Sequence, residues 1–187
     1  MTKRKVVFID RDGVINKDPG GWTRFSYVTR WKDFHFLPGA KKAIKRLSEN
    51  GYMIVIISNQ AGVGEGLFTE AAMWKVHEKM IAAMAERGIV IRGTRYCHHA
   101  KKAACDCRKP KTQLLEKAVT GIEFDRKKTY FVGDKLSDLE AGKNFGVKTI
   151  LVRTGYGKET EKKLPKNLQP DHIVNDFKEA VPLILKA

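Results

Sequence analysis

No run of apolar residues in this chain is long enough to cross a bilayer, and no secretory apolar segment follows Met1. A membrane partner is therefore not expected, and the cytoplasm is the expected compartment. Cysteine is scarce: Cys97, Cys105 and Cys107 are the only three, an odd number confined to one short segment. That argues against a disulfide framework and leaves a metal site as the natural alternative. Acidic residues are also short, 21 against 36 Lys and Arg, which leaves a formal net charge of +15. Such a surface attracts anions, whether phosphorylated metabolites or nucleic acids. Many of these cations, Lys41, Lys42, Lys45 and Arg46 among them, read as solvated helix faces, so charge alone names no partner. Internal repeats and low-complexity linkers are absent. The 187 residues fit one domain over 1–187, with 42% apolar and 30% charged residues in a globular balance, and a monomer is expected.

What is present alternates between two periods. Residues 5–9 (K-V-V-F-I) and 52–57 (Y-M-I-V-I-I) are short apolar, β-branched runs and read as strands buried on both faces. Between them, Ala40, Ala43, Ile44 and Leu47 recur at helical spacing, with Pro38 before and Gly51 after. The alternation continues with a helix over 69–87 capped by Thr69, a strand over 89–96 and a helix over 112–119. A strand over 128–132, a helix over 137–145 and a strand over 147–152 follow, then an edge strand at 173–174 and a closing helix over 177–185. This order predicts an α/β fold, a doubly wound, mainly parallel sheet with right-handed crossovers. Met73, Trp74, Met80 and Met84 read as a core-facing stripe. Segments 13–36 and 97–110 are long irregular connections of the kind that carry function, and 158–169 is polar enough to be mobile.

In such sheets ligands bind beyond the carboxyl ends of the strands. Those ends are polar here: Asp10-Arg11-Asp12-Gly13, Ser58-Asn59-Gln60, and Gly133-Asp134-Lys135 with Asp138 four residues past Asp134. Two aspartates at i and i+2 can face one crevice, one to attack and one to move protons. A phosphate monoester resists hydrolysis because its dianion repels nucleophiles and its alkoxide leaves poorly. Asp10 is therefore the candidate nucleophile and Asp12 the candidate acid and base. Clustered carboxylates beside a phosphate call for a cation, and Mg²⁺ held by Asp10 and Asp134 suits them. Lys109 is the candidate cation near the phosphoryl group; Ser58, Asn59 and Lys135 are candidate substrate contacts. Each piece alone is ordinary turn chemistry, whereas three strand ends carrying complementary groups are not.

With these residues in view the chain resembles the haloacid-dehalogenase-like phosphatases over nearly its whole length. F-I-D-R-D-G-V-I-N is similar to that superfamily's first motif, I-I-S-N-Q-A-G-V to its second and F-V-G-D-K-L-S-D to its fourth. The resemblance implies a Rossmann-like core without a large cap domain, Asp10 as nucleophile, Asp12 as acid and base, and Lys109 as the third-motif lysine. It also implies Mg²⁺ bound by Asp10, Asp134 and the main-chain carbonyl of Asp12. C-H-H followed by C-D-C-R-K-P resembles the zinc loop of one subgroup, whose Cys-x-His motif favours His99 over His98. Cys97, His99, Cys105 and Cys107 then form a closed set for structural Zn²⁺. Such a zinc braces the loop before Arg108, the candidate contact for a second anionic group. The expected substrate is a small sugar bisphosphate, a heptose bisphosphate cleaved at carbon 7. Histidinol phosphate is the nearest rival, with a nucleic-acid end or a non-catalytic zinc-braced binding module further behind. No aromatic platform for stacking bases is visible, which argues against nucleic acid. Trp22, Phe25, Tyr27 and Trp31 receive no role, and His35, His77 and His172 read as satisfied or solvated histidines.

Overall fold

The computed structural model describes residues 3–186. Its six strands are β1 (Lys5–Ile9), β2 (Tyr52–Asn59), β3 (Gly93–Cys97), β4 (Tyr130–Gly133), β5 (Lys148–Val152) and β6 (His172–Val174). The helices are α1 (Ala40–Glu49), α2 (Glu70–Ala85), α3 (Gln113–Ala118), α4 (Leu136–Phe145), α5 (Gly157–Lys162) and α6 (Phe177–Leu185). The strands form one parallel sheet in the order β3-β2-β1-β4-β5-β6.

The period of two along a strand divides the core into two layers. Val7 and Ile9 of β1 with Ile54 and Ile56 of β2 face α1, α2 and α6, which contribute Ile44 and Leu47, Met73 and Met80, and Val181 and Ile184. Val6, Phe8, Val55 and Ile57 face the other way, onto Leu114 and Leu115 of α3 and Ala141 and Phe145 of α4. Each such aliphatic side chain removed from water contributes about 1.5–3 kcal/mol. The apolar positions that suggested α1, namely Ala40, Ala43, Ile44 and Leu47, are its buried ones. Met73, Met80 and Met84 are buried likewise, while Trp74 packs at the margin.

Element edges differ from the sequence reading where capping overrides pattern. The strand expected over 128–132 is displaced because Asp125 accepts from Lys127 N at 2.9 Å and closes a 3-10 turn over Arg126–Lys128. The strand expected over 89–96 begins at Gly93, just after Arg92 N donates to Ile54 O of β2 at 2.9 Å; before it, Ile89 is packed into the core. The segment expected to be mobile, 158–169, overlaps α5, which is held by Thr160 Oγ1 donating to Asp134 O at 2.7 Å and by the Glu161 carboxylate on Arg153 at 2.7 Å.

The chain winds outward from β1 through β2 to β3, then returns to place β4 on the other side of β1. The sheet thus reverses direction between β1 and β4, where ligands bind in folds of this kind. Asp10 follows β1 and Asp134 follows β4.

Candidate active site

Asp10 N donates to Val132 O at 3.0 Å, which holds the end of β1 against β4. The Asp10 carboxylate is nearly buried, and its Oδ1 accepts from Arg11 N at 2.8 Å and lies 3.0 Å from Lys109 Nζ. Lys109 Nζ also lies 2.6 Å from Asp138 Oδ1 and donates to Ile57 O at 2.9 Å. The ammonium is thus hydrogen-bonded to one carbonyl and ion-paired with two carboxylates. Burial lowers the Lys109 pKa, but Asp10 and Asp138 outweigh it and raise the net value. The main chain of Lys109 is fixed too: Asn59 Nδ2 donates to Lys109 O at 3.2 Å, and Lys109 N donates to Asn59 Oδ1 at 3.1 Å. The Asn59 side chain thus serves the lysine loop.

Asp134 is fully buried. Burial pushes its carboxyl well above the ordinary range; Lys135 opposes this, and Asp10 and Asp138 add to it. Tyr156 N donates to Asp134 Oδ2 at 2.8 Å. Oδ1 is buried without a hydrogen-bond partner among the described residues, and Lys135 Nζ at 3.8 Å is beyond hydrogen-bonding reach. Gly13, at φ +90°, lies so close that a Cβ there would collide with the Asp134 carboxylate, so glycine is required by both backbone and space. Asp138 accepts from Asp134 N and Lys135 N at the start of α4, and burial raises its pKa against the pull of Lys109.

Carboxylate oxygens of Asp10, Asp134 and Asp138 lie within 4.8 Å of one another. Three buried carboxylates with one lysine between two of them, and an unpartnered oxygen on the third, fit a hard cation that takes oxygen ligands. The side chain of Asp12 lies outside this group. Its Oδ1 accepts from Arg11 and from Asn16 Nδ2 at 2.8 Å, and its Oδ2 from Arg11 Nη2 at 2.8 Å and Gln60 Nε2 at 2.9 Å. Burial raises the Asp12 pKa, yet Arg11 and these hydrogen bonds prevail and hold it below the ordinary value.

The second cluster joins the end of β3 to the loop before Lys109. Ligand atoms of Cys97, His99, Cys105 and Cys107 lie within 4.8 Å of one another. His99 Nδ1 is 3.1 Å from Cys107 Sγ, and Cys97 Sγ is 3.8 Å from Cys105 Sγ. His98 turns away, with Nδ1 3.2 Å from Glu70 Oε1. Three thiols and one imidazole fit a closed tetrahedral metal site, as the spacing predicts.

A cavity of about 300 Å³ opens above Asp10, lined also by Asp12, Ser58, Arg108, Lys109 and Lys135. Every sequence-predicted residue outside the Cys/His cluster, Asn59 included and buried Asp134 excepted, reaches this cavity. Arg108 Nη1 is buried without a partner among the described residues. Lys135 Nζ lies 3.2 Å from Asp18 Oδ2, which also lines the cavity. Phe25 and Tyr27 line the cavity, whereas Trp31 stacks on Phe34, so the aromatic loop both shapes the site and packs itself down. Sequence reasoning gave no role to Asp138, Gln60, Arg11, Asn16 or Asp18. For Asp138 the signal was its place four residues past Asp134; for Gln60, two residues past Ser58.

Residues 106–180 match the family model described as HAD-hyrolase-like. The D-glycero-beta-D-manno-heptose-1,7-bisphosphate 7-phosphatase of Haemophilus ducreyi is 38% identical over 97% of this chain and 98% of its own length. The D-glycero-alpha-D-manno-heptose-1,7-bisphosphate 7-phosphatase of Campylobacter jejuni is 35% identical over 95% of this chain and 98% of its own. Among solved structures, the D,D-heptose 1,7-bisphosphate phosphatase of B. bronchiseptica, complexed with magnesium and phosphate, superposes with a TM-score of 0.87 and 31% identity. It covers 97% of this chain and 98% of that one. With the sheet order, the carboxylates at the β1–β4 reversal and this likeness along almost the entire length, the chain belongs to the haloacid-dehalogenase-like phosphatases.

Proposed function

We propose that this chain is a Mg²⁺-dependent phosphomonoesterase that removes the 7-phosphate of D-glycero-D-manno-heptose 1,7-bisphosphate. The observation that carries the reading is the nucleophile's setting: Asp10 lines a cavity whose walls also carry Arg108, Lys109 and Lys135, and its Oδ1 is already bound by Arg11 N and Lys109. Oδ2 takes neither of these bonds and is the oxygen to attack phosphorus. As the bond from phosphorus to the sugar oxygen breaks, its electron pair stays on that oxygen, which takes a proton from Asp12. An acyl phosphate on Asp10 results. Water then attacks phosphorus, gives its proton to the Asp12 carboxylate, and the electron pair returns to Asp10 as phosphate leaves. The donors around Asp12 suit the carboxylate form needed for this second half.

Lys109 neutralises charge on the transferring group and keeps Asp10 and Asp138 from repelling one another. Mg²⁺, held by Asp10, Asp134, Asp138 and the main-chain carbonyl of Asp12, would supply the remaining charge neutralisation and orientation of the phosphoryl oxygens. Ser58 is the hydrogen-bond donor for an equatorial oxygen. Cys97, His99, Cys105 and Cys107 would hold Zn²⁺, which would brace the loop that carries Arg108 and Lys109 without entering the chemistry.

Arg108, with an unpartnered buried Nη1, and Lys135 are the contacts for the 1-phosphate. Histidinol phosphate offers no second phosphate to them. The proposed protein is one domain over 1–187 acting as a monomer. The test is a comparison of kcat/KM for both anomers of the heptose bisphosphate and for histidinol phosphate, with Asp10→Asn as control. The bisphosphate should lead by more than tenfold and Asp10→Asn should be inactive; equal turnover of histidinol phosphate, or an active Asp10→Asn, would overturn the reading.

A further inference from the structure

We propose that Gln60 is a positioning residue for catalysis: its side-chain amide holds the acid-base carboxylate of Asp12 in register with the phosphate-binding hydroxyl of Ser58. The inference rests on the reading of Asp12 and Ser58 given above and adds a residue to it.

Gln60 is nearly fully buried and follows β2, with its main-chain N donating to Cys97 O at 2.7 Å. That bond ties its backbone to the end of β3, where the Cys/His cluster begins. From this anchored position Nε2 donates to Asp12 Oδ2 at 2.9 Å and to Ser58 Oγ at 3.2 Å. The amide therefore uses both of its protons, one on each functional side chain. Its Oε1 is buried and has no partner among the described residues, so no competing acceptor contact dictates the orientation. Gln60 comes from a different strand end than Asp12, 48 residues away in sequence. It is the link that fixes the first strand's acid relative to the second strand's hydroxyl. Arg11 and Asn16, the other donors to Asp12, come from Asp12's own turn and cannot set that relation.

An acid must lie within hydrogen-bonding reach of the leaving oxygen while phosphorus sits between Asp10 and the donors to its equatorial oxygens. An error in the spacing of Asp12 and Ser58 therefore slows any substrate whose leaving oxygen needs a proton. It does little to phosphoryl transfer, the step that kcat/KM reads, for a substrate whose leaving group departs as a stable anion. This separates positioning of the acid from a merely structural role.

The experiment compares wild type, Gln60→Leu and Gln60→Met with Mg²⁺ on two substrates. The heptose bisphosphate has an alkoxide leaving group, and acetyl phosphate, small enough for the cavity, leaves as a carboxylate. The ratio of kcat/KM for the bisphosphate to that for acetyl phosphate should fall about 10–100-fold in both variants, the size expected when an acid is misplaced. Asp12→Asn should shift the ratio in the same direction. An unchanged ratio, whether both activities persist or both fall together, overturns the proposal. Gln60→Met keeps side-chain volume without a donor and covers the case in which Gln60→Leu fails to fold. A crystal structure of either variant reads the same claim without substrate: a displaced Asp12 carboxylate is expected, and an unmoved one overturns it. Activity of Asp10→Asn would instead sink the underlying reading, so the two failures are distinguishable.

Discussion

At the scale of single residues, Lys109 and His77 show how burial gives a charge its meaning. Lys109 is buried between two carboxylates, so removing its ammonium deprives Asp10 and Asp138 of their ion-pair partner. Lys109→Met in metal-free protein should lower stability by about 3–5 kcal/mol, read from urea unfolding, and lower kcat by at least about 10²-fold. His77 lies in α2 with Nδ1 3.0 Å from Tyr96 Oη. Burial, and secondarily the charge of Arg11, lower its pKa from 6.5 to about 4. Between those two values the unfolded chain binds the proton and the folded chain does not, so this group's contribution to stability is lost as pH falls from 6.5 toward 4. Unfolding midpoints of wild type and His77→Gln, which keeps a polar partner for Tyr96, should nearly coincide at pH 7.5. They should diverge to wild type's disadvantage by pH 4.5; a constant gap would sink this. Lys109 was expected near the phosphoryl group, and it lies beside Asp10; His77, read as satisfied or solvated, is paired with Tyr96. Asp138 was not legible as a member of the carboxylate cluster, because an acid in a helix's first turn is ordinary capping chemistry until folding sets it beside Asp10.

At the scale of elements, the Cys/His loop is the part most dependent on something besides its own packing. Cys105 and the residues near it are partly exposed, and nothing else in the loop between β3 and α3 forms a regular element. A structural zinc contributes directly to the folding of such a segment. Cys105→Ser should therefore abolish zinc binding measured by elemental analysis, lower the thermal midpoint and raise KM, since Arg108 and Lys109 follow at once in sequence. An unchanged KM with zinc lost would show that the Asn59 clamp alone suffices. The strands and long helices were legible because burial repeats at 2.0 and 3.6 residues. α5 was not: Gly157–Lys162 is short and mostly polar, and it exists because Thr160 reaches Asp134 O while Glu161 pairs with Arg153. Local composition does not record tertiary anchors of that kind. The same holds for the start of β4, where the Asp125 cap decided the boundary over β-branched pattern.

At the scale of the whole molecule, a net charge of +15 surrounds a site that is itself rich in carboxylates. The excess cations are spread over helices and loops, while those lining the cavity are few, Lys101, Arg108, Lys109 and Lys135. Two readings of that charge differ in their dependence on salt. A phosphatase of nucleic-acid ends that tracked 6–10 backbone phosphates would lose roughly 10³–10⁵ in affinity between about 50 and about 200 mM salt. A small bisphosphate contacts only the cavity, where partly buried pairs are screened far less than surface ones, and the global charge contributes only to the rate of encounter. For the heptose bisphosphate, kcat/KM should therefore fall by less than about tenfold over that range, with the loss in KM and none in kcat. Ionic strength should be raised with a monovalent chloride, because sulfate or phosphate would compete for the cavity itself. A steep logarithmic slope on the sugar, or salt-sensitive turnover of phosphorylated DNA ends at comparable efficiency, would mean that the distributed lysines hold the substrate and that the cavity does not define it.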